Sequence, residues 1–182
     1  MDSTALIVMD ILNDFTSKKG TMYVPGSESV IDNVNRLQQR FETIVFMKDC
    51  HPEDDPEFKR VQKHCVSGSW GSQPDNRLNI KGSAAQVEKR AWSMFSNRTA
   101  YTQLAGAGVN IVCLAGVPTE YSIFESAMDA VRLGFRVFLV ADAIAGIDQA
   151  KTVPAVLKMG KIGVLSMSTE DMLRASDLRI IH

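Results

Sequence analysis

The residues best suited to bind a metal lie at the end of the second apolar run of the chain and in the segment after it. Asp49 and His51 are two positions apart, so in an extended segment both side chains point the same way and Cys50 points oppositely. His64 returns from the loop that follows. One carboxylate and two imidazoles suit zinc or a similar divalent ion and leave coordination positions open. Cys65 adjoins His64, so a site with a thiolate ligand stays an alternative.

Several polar side chains follow apolar runs that are predicted to be strands. The carboxyl ends of parallel strands share one edge of a sheet, and active sites lie beyond that edge. A single acid at a strand end is often only a helix cap or a solvated charge, and Asp142 fits that interpretation as well as a functional one. The whole set predicts a polar site at this edge and comprises Asp10, Asp49, His51, Lys89, Ser122 and Asp142.

Short apolar runs alternate with helical patterns along the chain. Strands are predicted over 5–9, 43–47, 85–88, 110–114, 135–140 and 162–165. Helices are predicted from Ser27, which can cap its helix, over 98–106, 119–133 and 148–159, and from Ser168. Residues 50–82 have weak periodicity and read as a long loop. The pattern predicts one α/β domain over 1–182, with a mostly parallel, doubly wound sheet of five to six strands and helices on both faces.

Length and composition limit the classes of function. The 182 residues are 45% hydrophobic and 23% charged, which is ordinary for a soluble globular domain. A formal net charge of −1 argues against a nucleic-acid or membrane partner recruited by charge, and no apolar run suffices for a membrane span. The start lacks the basic region of a signal peptide, and the three cysteines match no disulfide framework. We therefore expect a cytoplasmic protein.

Five dispersed motifs resemble those of the isochorismatase-like cysteine hydrolases, and of the metal-containing nicotinamidases among them. They occur in the family's order with fitting spacing, and the resemblance extends from residue 5 to about residue 146. The matching segments are Ala5–Phe15, Lys48–Pro52, Lys63–Val66, Lys89–Phe95 and Gly116–Ser122.

The resemblance implies a catalytic triad of cysteine, aspartate and lysine. Its positions are held here by Ser122, Asp10 and Lys89. In such enzymes the aspartate takes the proton of the nucleophile and the lysine keeps the aspartate charged. Attack on an amide carbon then gives an acyl-enzyme, which water hydrolyses.

A metal and a substrate follow from the same resemblance. Asp49, His51 and His64 are expected to hold Zn²⁺, or another divalent ion, that orients nicotinamide or a similar small amide. We also expect the chain to form a homo-oligomer. The substrate pocket is expected to contain Leu12, Phe15, Trp70 and Tyr121.

Two positions depart from the family pattern. Ser122 stands where the cysteine is expected, and an alcohol ionises far less readily than a thiol. A cis peptide is expected at Val117–Pro118, where the second residue usually supplies an oxyanion N–H, but proline has none. Losing one oxyanion donor costs about two to three powers of ten in rate. We therefore predict a weakened or inactive amidase, whether the serine is natural or introduced.

Two other functions stay open. An isochorismatase-type hydrolase breaks a vinyl ether with an aspartate acid and needs no cysteine, which suits Ser122, although such relatives typically lack the metal ligands. A non-catalytic homologue would keep the pocket and the metal without turnover. Bound metal separates the vinyl-ether hydrolase from the amidase, and a cysteine at position 122 separates the binding protein from the amidase.

Overall fold

A single six-stranded sheet organises the computed structural model, which describes residues 4–181. Its strands are β1 Thr4–Met9, β2 Thr43–Asp49, β3 Ala85–Lys89, β4 Ile111–Gly116, β5 Arg136–Ile144 and β6 Leu165–Met167. All neighbours pair in parallel, in the order β3-β2-β1-β4-β5-β6. The predicted α/β fold with five to six strands is thereby confirmed. The single domain over 1–182 stays a prediction, and residues 1–3 and 182 lie outside the described residues.

Helices cover both faces of the sheet. In the described part of the chain they are α1 Asn13–Thr16, α2 Ser27–Leu37, α3 Arg98–Gly106, α4 Phe124–Arg132, α5 Gln149–Lys161 and α6 Thr169–Arg174. Leu6 and Val8 of β1 pack in one core with α2 and α6, while Ile7 and Met9 pack in the other with α3, α4 and α5. This alternation is the period of two that a strand buried on both faces requires. No helix between residues 4 and 181 is long and apolar enough to span a bilayer.

Several predicted element ends were wrong, and β5 continues to Ile144 rather than ending at 140, so Asp142 lies within this strand instead of after it. Gly26, with φ 85°, takes the N-cap position of α2, and the Ser27 hydroxyl instead donates to the Thr16 carbonyl at 3.3 Å. The predicted helix over 119–133 begins as a π-helical turn, Thr119–Ile123, before α4. The last strand begins at Leu165 rather than at 162, because α5 continues to Lys161 and a turn follows it. Ser168 does cap α6, as predicted.

The candidate site lies at the switch point of the sheet, where the order in which strands are added changes from one side of β1 to the other. β2 and β3 lie on one side of β1, and β4, β5 and β6 lie on the other, so β1 and β4 flank the switch point. Gly116 pairs with Met9, and a Cβ at position 116 would lie 2.1 Å from the Met9 carbonyl oxygen. Glycine at this position therefore lets the end of β4 approach the end of β1.

Candidate active site and metal centre

Lys89 lies at the centre of the candidate active site. Its Nζ is 2.9 Å from Asp10 Oδ2, 3.2 Å from Asp49 Oδ1 and 3.3 Å from Ser122 Oγ, and all four residues are buried. The register that pairs Asp49 with Lys89 brings the ends of β2 and β3 together. Asp142 makes no contact with Lys89 of this kind. Its carboxylate accepts two hydrogen bonds from the first residue of α6 and holds the start of that helix in place.

The charges of this cluster decide which group can accept a proton. Burial raises the pKa of Asp10 against the opposing effect of the Lys89 ammonium. Burial alone would lower the pKa of Lys89, but the carboxylates of Asp10 and Asp49 outweigh it and the pKa is raised. Lys89 therefore stays charged, and Asp10 is the better placed proton acceptor. Asp10 also has φ 52°, a left-handed conformation that is uncommon outside glycine and concentrates at functional sites.

Asp49, His51 and His64 form a buried cluster with the donor set of a metal centre. Their ligand atoms lie within 4.8 Å of one another, and Nε2 of each histidine is 3.1 Å from Asp49 Oδ2. His51 Nε2 makes no directional hydrogen bond to any described residue, so this buried nitrogen is left for another partner. Two imidazole nitrogens and a carboxylate oxygen suit Zn²⁺. The residues present therefore fit a divalent metal ion.

Neighbouring carboxylates set the protonation of these ligands. Burial opposes the charged imidazole of His51, but the nearby carboxylates of Asp49 and Asp55 outweigh it and raise the pKa of His51 to about 9. Burial would raise the pKa of Asp49, but Lys89 and the two histidines lower it overall. Metal ligands must be deprotonated, so a metal ion would displace a proton from His51.

Asp14 is a further buried carboxylate, and it holds the loop that carries His64. Asp14 Oδ2 accepts from the Cys65 N–H at 2.7 Å, and its Oδ1 accepts from the Thr21 N–H at 3.1 Å. The Cys65 thiol is not among the ligand atoms of this cluster, and its Sγ instead lies 3.9 Å from the Gly71 carbonyl oxygen. The alternative of a thiolate ligand at Cys65 therefore finds no support in the geometry of the site. The Asp14 contact explains instead how the residue beside His64 is held in place.

The turn after β4 presents Ser122 to the cluster. The Val117–Pro118 peptide bond is cis, as the resemblance implies. The Thr119 N–H donates to a backbone carbonyl of segment 145–152 at 2.9 Å. The Glu120 carboxylate accepts one hydrogen bond from a backbone N–H of that segment at 2.9 Å and one from a hydroxyl at 3.2 Å. Pro118 has no N–H and the Thr119 N–H is already bonded, so neither can donate to an oxyanion here.

A cavity of about 200 Å³ opens beside Ser122. Phe15 and Tyr121 line it, as expected for the substrate pocket, but Leu12 and Trp70 do not. Leu12 is buried in the core, and Trp70 lines a separate polar cavity and is 49% exposed. The lining is largely apolar and aromatic apart from its carboxylates, and consists of Phe15, Met22, Asp49, Glu57, Val61, His64, Trp92, Pro118, Tyr121 and Ser122.

Sequence reasoning missed two polar or aromatic residues of this lining. The Trp92 ring contacts the Tyr121 ring at a tilt of 56°, with centroids 5.1 Å apart, and Trp92 Nε1 donates to Glu57 Oε1 at 3.3 Å. Trp92 lies three positions after Lys89, within a matching segment, and that proximity was a usable signal. Glu57 lies in a segment without periodicity, and nothing in its local sequence pointed to the cavity.

The chain is similar to known proteins in its sequence and in its fold. A family model described as the isochorismatase domain matches residues 4–171. A nicotinamidase of Acinetobacter baylyi is 26% identical, over 94% of this chain and 95% of its own. A pyrazinamidase of Pyrococcus horikoshii in complex with zinc is 29% identical, with a TM-score of 0.85 over 91% of this chain and 99% of its own. A protein of L. infantum in complex with nicotinate is 27% identical, with a TM-score of 0.84 over 92% and 93%. The chain therefore belongs to the isochorismatase domain family.

Proposed function

We propose that this protein is a metal-assisted amidohydrolase of the nicotinamidase type, weakened or silenced by Ser122 at the nucleophile position. Its substrate would be nicotinamide or a similar small amide, cleaved to the acid and ammonia. The observation that carries the proposal is the position of Lys89, whose Nζ lies within 3.3 Å of Asp10, Asp49 and Ser122. One buried ammonium thus joins the proton acceptor, the nucleophile and the metal cluster.

The proposed reaction uses the chain's own groups in two stages. Asp10 takes the proton of the Ser122 hydroxyl while Lys89 keeps that carboxylate charged. Ser122 Oγ forms a bond to the amide carbon, the carbon–nitrogen bond breaks, and ammonia leaves with a proton returned by Asp10. Water then attacks the acyl ester, which releases the carboxylic acid and restores the hydroxyl.

Asp49, His51 and His64 would hold the metal in this proposal. A bound divalent ion would supply an electrophilic centre that orients a ring nitrogen of the substrate. The zinc in the Pyrococcus horikoshii structure and the nicotinate in the L. infantum structure support both assignments.

The lining of the cavity supports a neutral aromatic amide as the substrate. Phe15, Trp92 and Tyr121 contribute aromatic rings, and Asp49 and Glu57 contribute carboxylates. None of the described residues that line the cavity is a lysine or an arginine. Asp49, His51 and His64 fit a divalent metal ion, and isochorismatase-type relatives typically lack these ligands, so the isochorismatase-type alternative is disfavoured.

The non-catalytic alternative is favoured by two features of the turn. Ser122 is a weaker nucleophile than cysteine, and Pro118 removes an oxyanion donor. Both changes lower turnover without removing the metal cluster or the cavity. A binding protein that keeps nicotinamide affinity without hydrolysis is therefore the second candidate.

Measuring ammonia release from nicotinamide tests the proposal. The protein with Ser122 should be slow or inactive, and Ser122→Cys should be at least about a hundredfold faster because a thiol ionises more readily and attacks more readily. Adding Asp10→Asn to Ser122→Cys should abolish the gain. A metal-loaded Ser122→Cys protein that stays inert on nicotinamide and on a panel of small amides would favour the binding protein.

A further inference from the structure

His51 has both ring nitrogens aimed at carboxylates, although its side chain is only 1% exposed. Nε2 faces Asp49 Oδ2 at 3.1 Å, on the side of the metal cluster. Nδ1 is 3.0 Å from Asp55 Oδ2, on the opposite side of the ring. A carboxylate can only accept, so the hydrogen bond to Asp55 requires a ring proton on Nδ1, and Nε2 is then the nitrogen that would give up its proton to bind a metal.

Asp55 is itself held in place by the turn that it begins. Its Oδ1 accepts from the Glu57 N–H at 2.9 Å and so caps the short 3₁₀ helix Pro56–Lys59. The Phe58 N–H donates to the Asp55 carbonyl at 3.0 Å, and the Phe58 ring lies with its centroid 5.4 Å from that of His51. The carboxylate is therefore fixed by one oxygen and orients His51 with the other.

The second imidazole of the cluster has the same arrangement. His64 Nδ1 lies 2.8 Å from the Gln62 carbonyl oxygen, and its Nε2 faces Asp49. In both histidines an acceptor fixes Nδ1 and directs Nε2 to the same point. Outer partners of this kind orient metal-bound histidines and raise their basicity.

We propose that Asp55 is a positioning residue for the metal centre, acting through His51 to fix its tautomer and the direction of its Nε2. The inference rests on the proposed function, because it requires Asp49, His51 and His64 to bind a divalent ion. Asp55 would touch neither the substrate nor the ion. Without Asp55, His51 would be free to rotate and the affinity of the site for zinc would fall.

Three variants separate this role from the others that Asp55 could have. Asp55→Ser keeps an oxygen that can cap the 3₁₀ helix but is too short to reach His51, whereas Asp55→Ala loses both contacts. Asp54→Ser is the matched control, since it removes the same charge from the exposed neighbouring position. Zinc dissociation constants are measured by competition with a chromogenic chelator. Two-bond proton–nitrogen NMR correlations then report which His51 nitrogen carries the proton.

We expect the unaltered protein and Asp54→Ser to bind about one zinc per chain with the same affinity. Asp55→Ser and Asp55→Ala should bind zinc roughly 10–100-fold more weakly. In the zinc-loaded unaltered protein and in Asp54→Ser, NMR should show a protonated Nδ1 and a metal-bound Nε2 for His51. In Asp55→Ser this pattern should be lost or should exchange between tautomers.

Different contrary results would overturn different parts of the proposal. If the unaltered protein takes up no zinc, the proposed metal centre fails, and the role of Asp55 fails with it. If Asp55→Ser binds zinc as tightly as the unaltered protein, the metal centre stands and the positioning role is wrong. Loss only in Asp55→Ala would assign the effect to the helix cap, and equal loss in Asp54→Ser would assign it to net charge. Either outcome overturns the inference.

Discussion

Replacing Lys89 with methionine should strongly destabilise the metal-free protein. Methionine has a similar length but no charge, so the buried carboxylates of Asp10 and Asp49 would lose an ammonium at 2.9 and 3.2 Å. At an effective dielectric constant of about 20, each contact is worth about 5 kcal/mol before desolvation. The variant no longer buries an ammonium, which offsets part of that loss. Breaking a buried pair from one side typically costs about 3–5 kcal/mol, and we expect this loss in the free energy of unfolding.

Urea denaturation at pH 7 with a chelator present measures this loss. Lys48→Met is the matched control, because Lys48 lies near the carboxyl end of β2, the strand that pairs with the strand of Lys89. Its Nζ is 3.5 Å from an exposed carboxylate, Glu88. That surface pair should be worth about 0–1 kcal/mol. A second variant, Lys89→Met with Asp10→Asn, should recover part of the loss because one unpaired charge is removed.

The loss should also depend on pH. Without Lys89 the pKa of Asp10 rises further, and a carboxyl group whose pKa is raised on folding costs stability above its unfolded value. The difference between Lys89→Met and the unaltered protein should therefore be larger at pH 7 than at pH 5. A loss below about 1 kcal/mol at pH 7 would show that the ammonium is not the main partner of these carboxylates.

Three further outcomes follow from the structure. Gly71→Ala should destabilise the protein by about 1–3 kcal/mol in thermal unfolding, because its Cβ would lie 2.0 Å from Asp14 Oδ2, whereas Gly82→Ala has no atom within 4 Å and should be nearly neutral. Hydrogen bonds from Arg77 lower the pKa of Asp75 to about 2, so the stability that Arg77→Gln removes at pH 7 should disappear as pH falls from about 4 to 2 in urea titrations. Chelation should lower the melting temperature and added zinc should restore it, since free zinc at about a hundred times its dissociation constant stabilises by about 2.7 kcal/mol.

The sequence determined the strands and the residues at their carboxyl ends. The buried runs that became β1, β2 and β4 are continuous apolar segments, which is how a strand covered on both faces must appear. Because the carboxyl ends of parallel strands share one edge of a sheet, the sequence alone predicts that Asp10, Asp49 and Lys89 lie close together. The type of local structure follows from short-range sequence pattern, so the position of these residues at strand ends could be predicted from the sequence.

Only the tertiary structure decided how these groups meet and what surrounds them. Strand order is not encoded in local periodicity. The contacts of Lys89 with both Asp10 and Ser122 therefore required β3 to pair with β2, β2 with β1 and β1 with β4. The loop after β2 has no periodicity, and long-range bonds such as the one from the Cys65 N–H to Asp14 fix its path. Its path placed Glu57 at the cavity and Trp70 away from it, because loop side chains are positioned by distant partners rather than by their sequence neighbours.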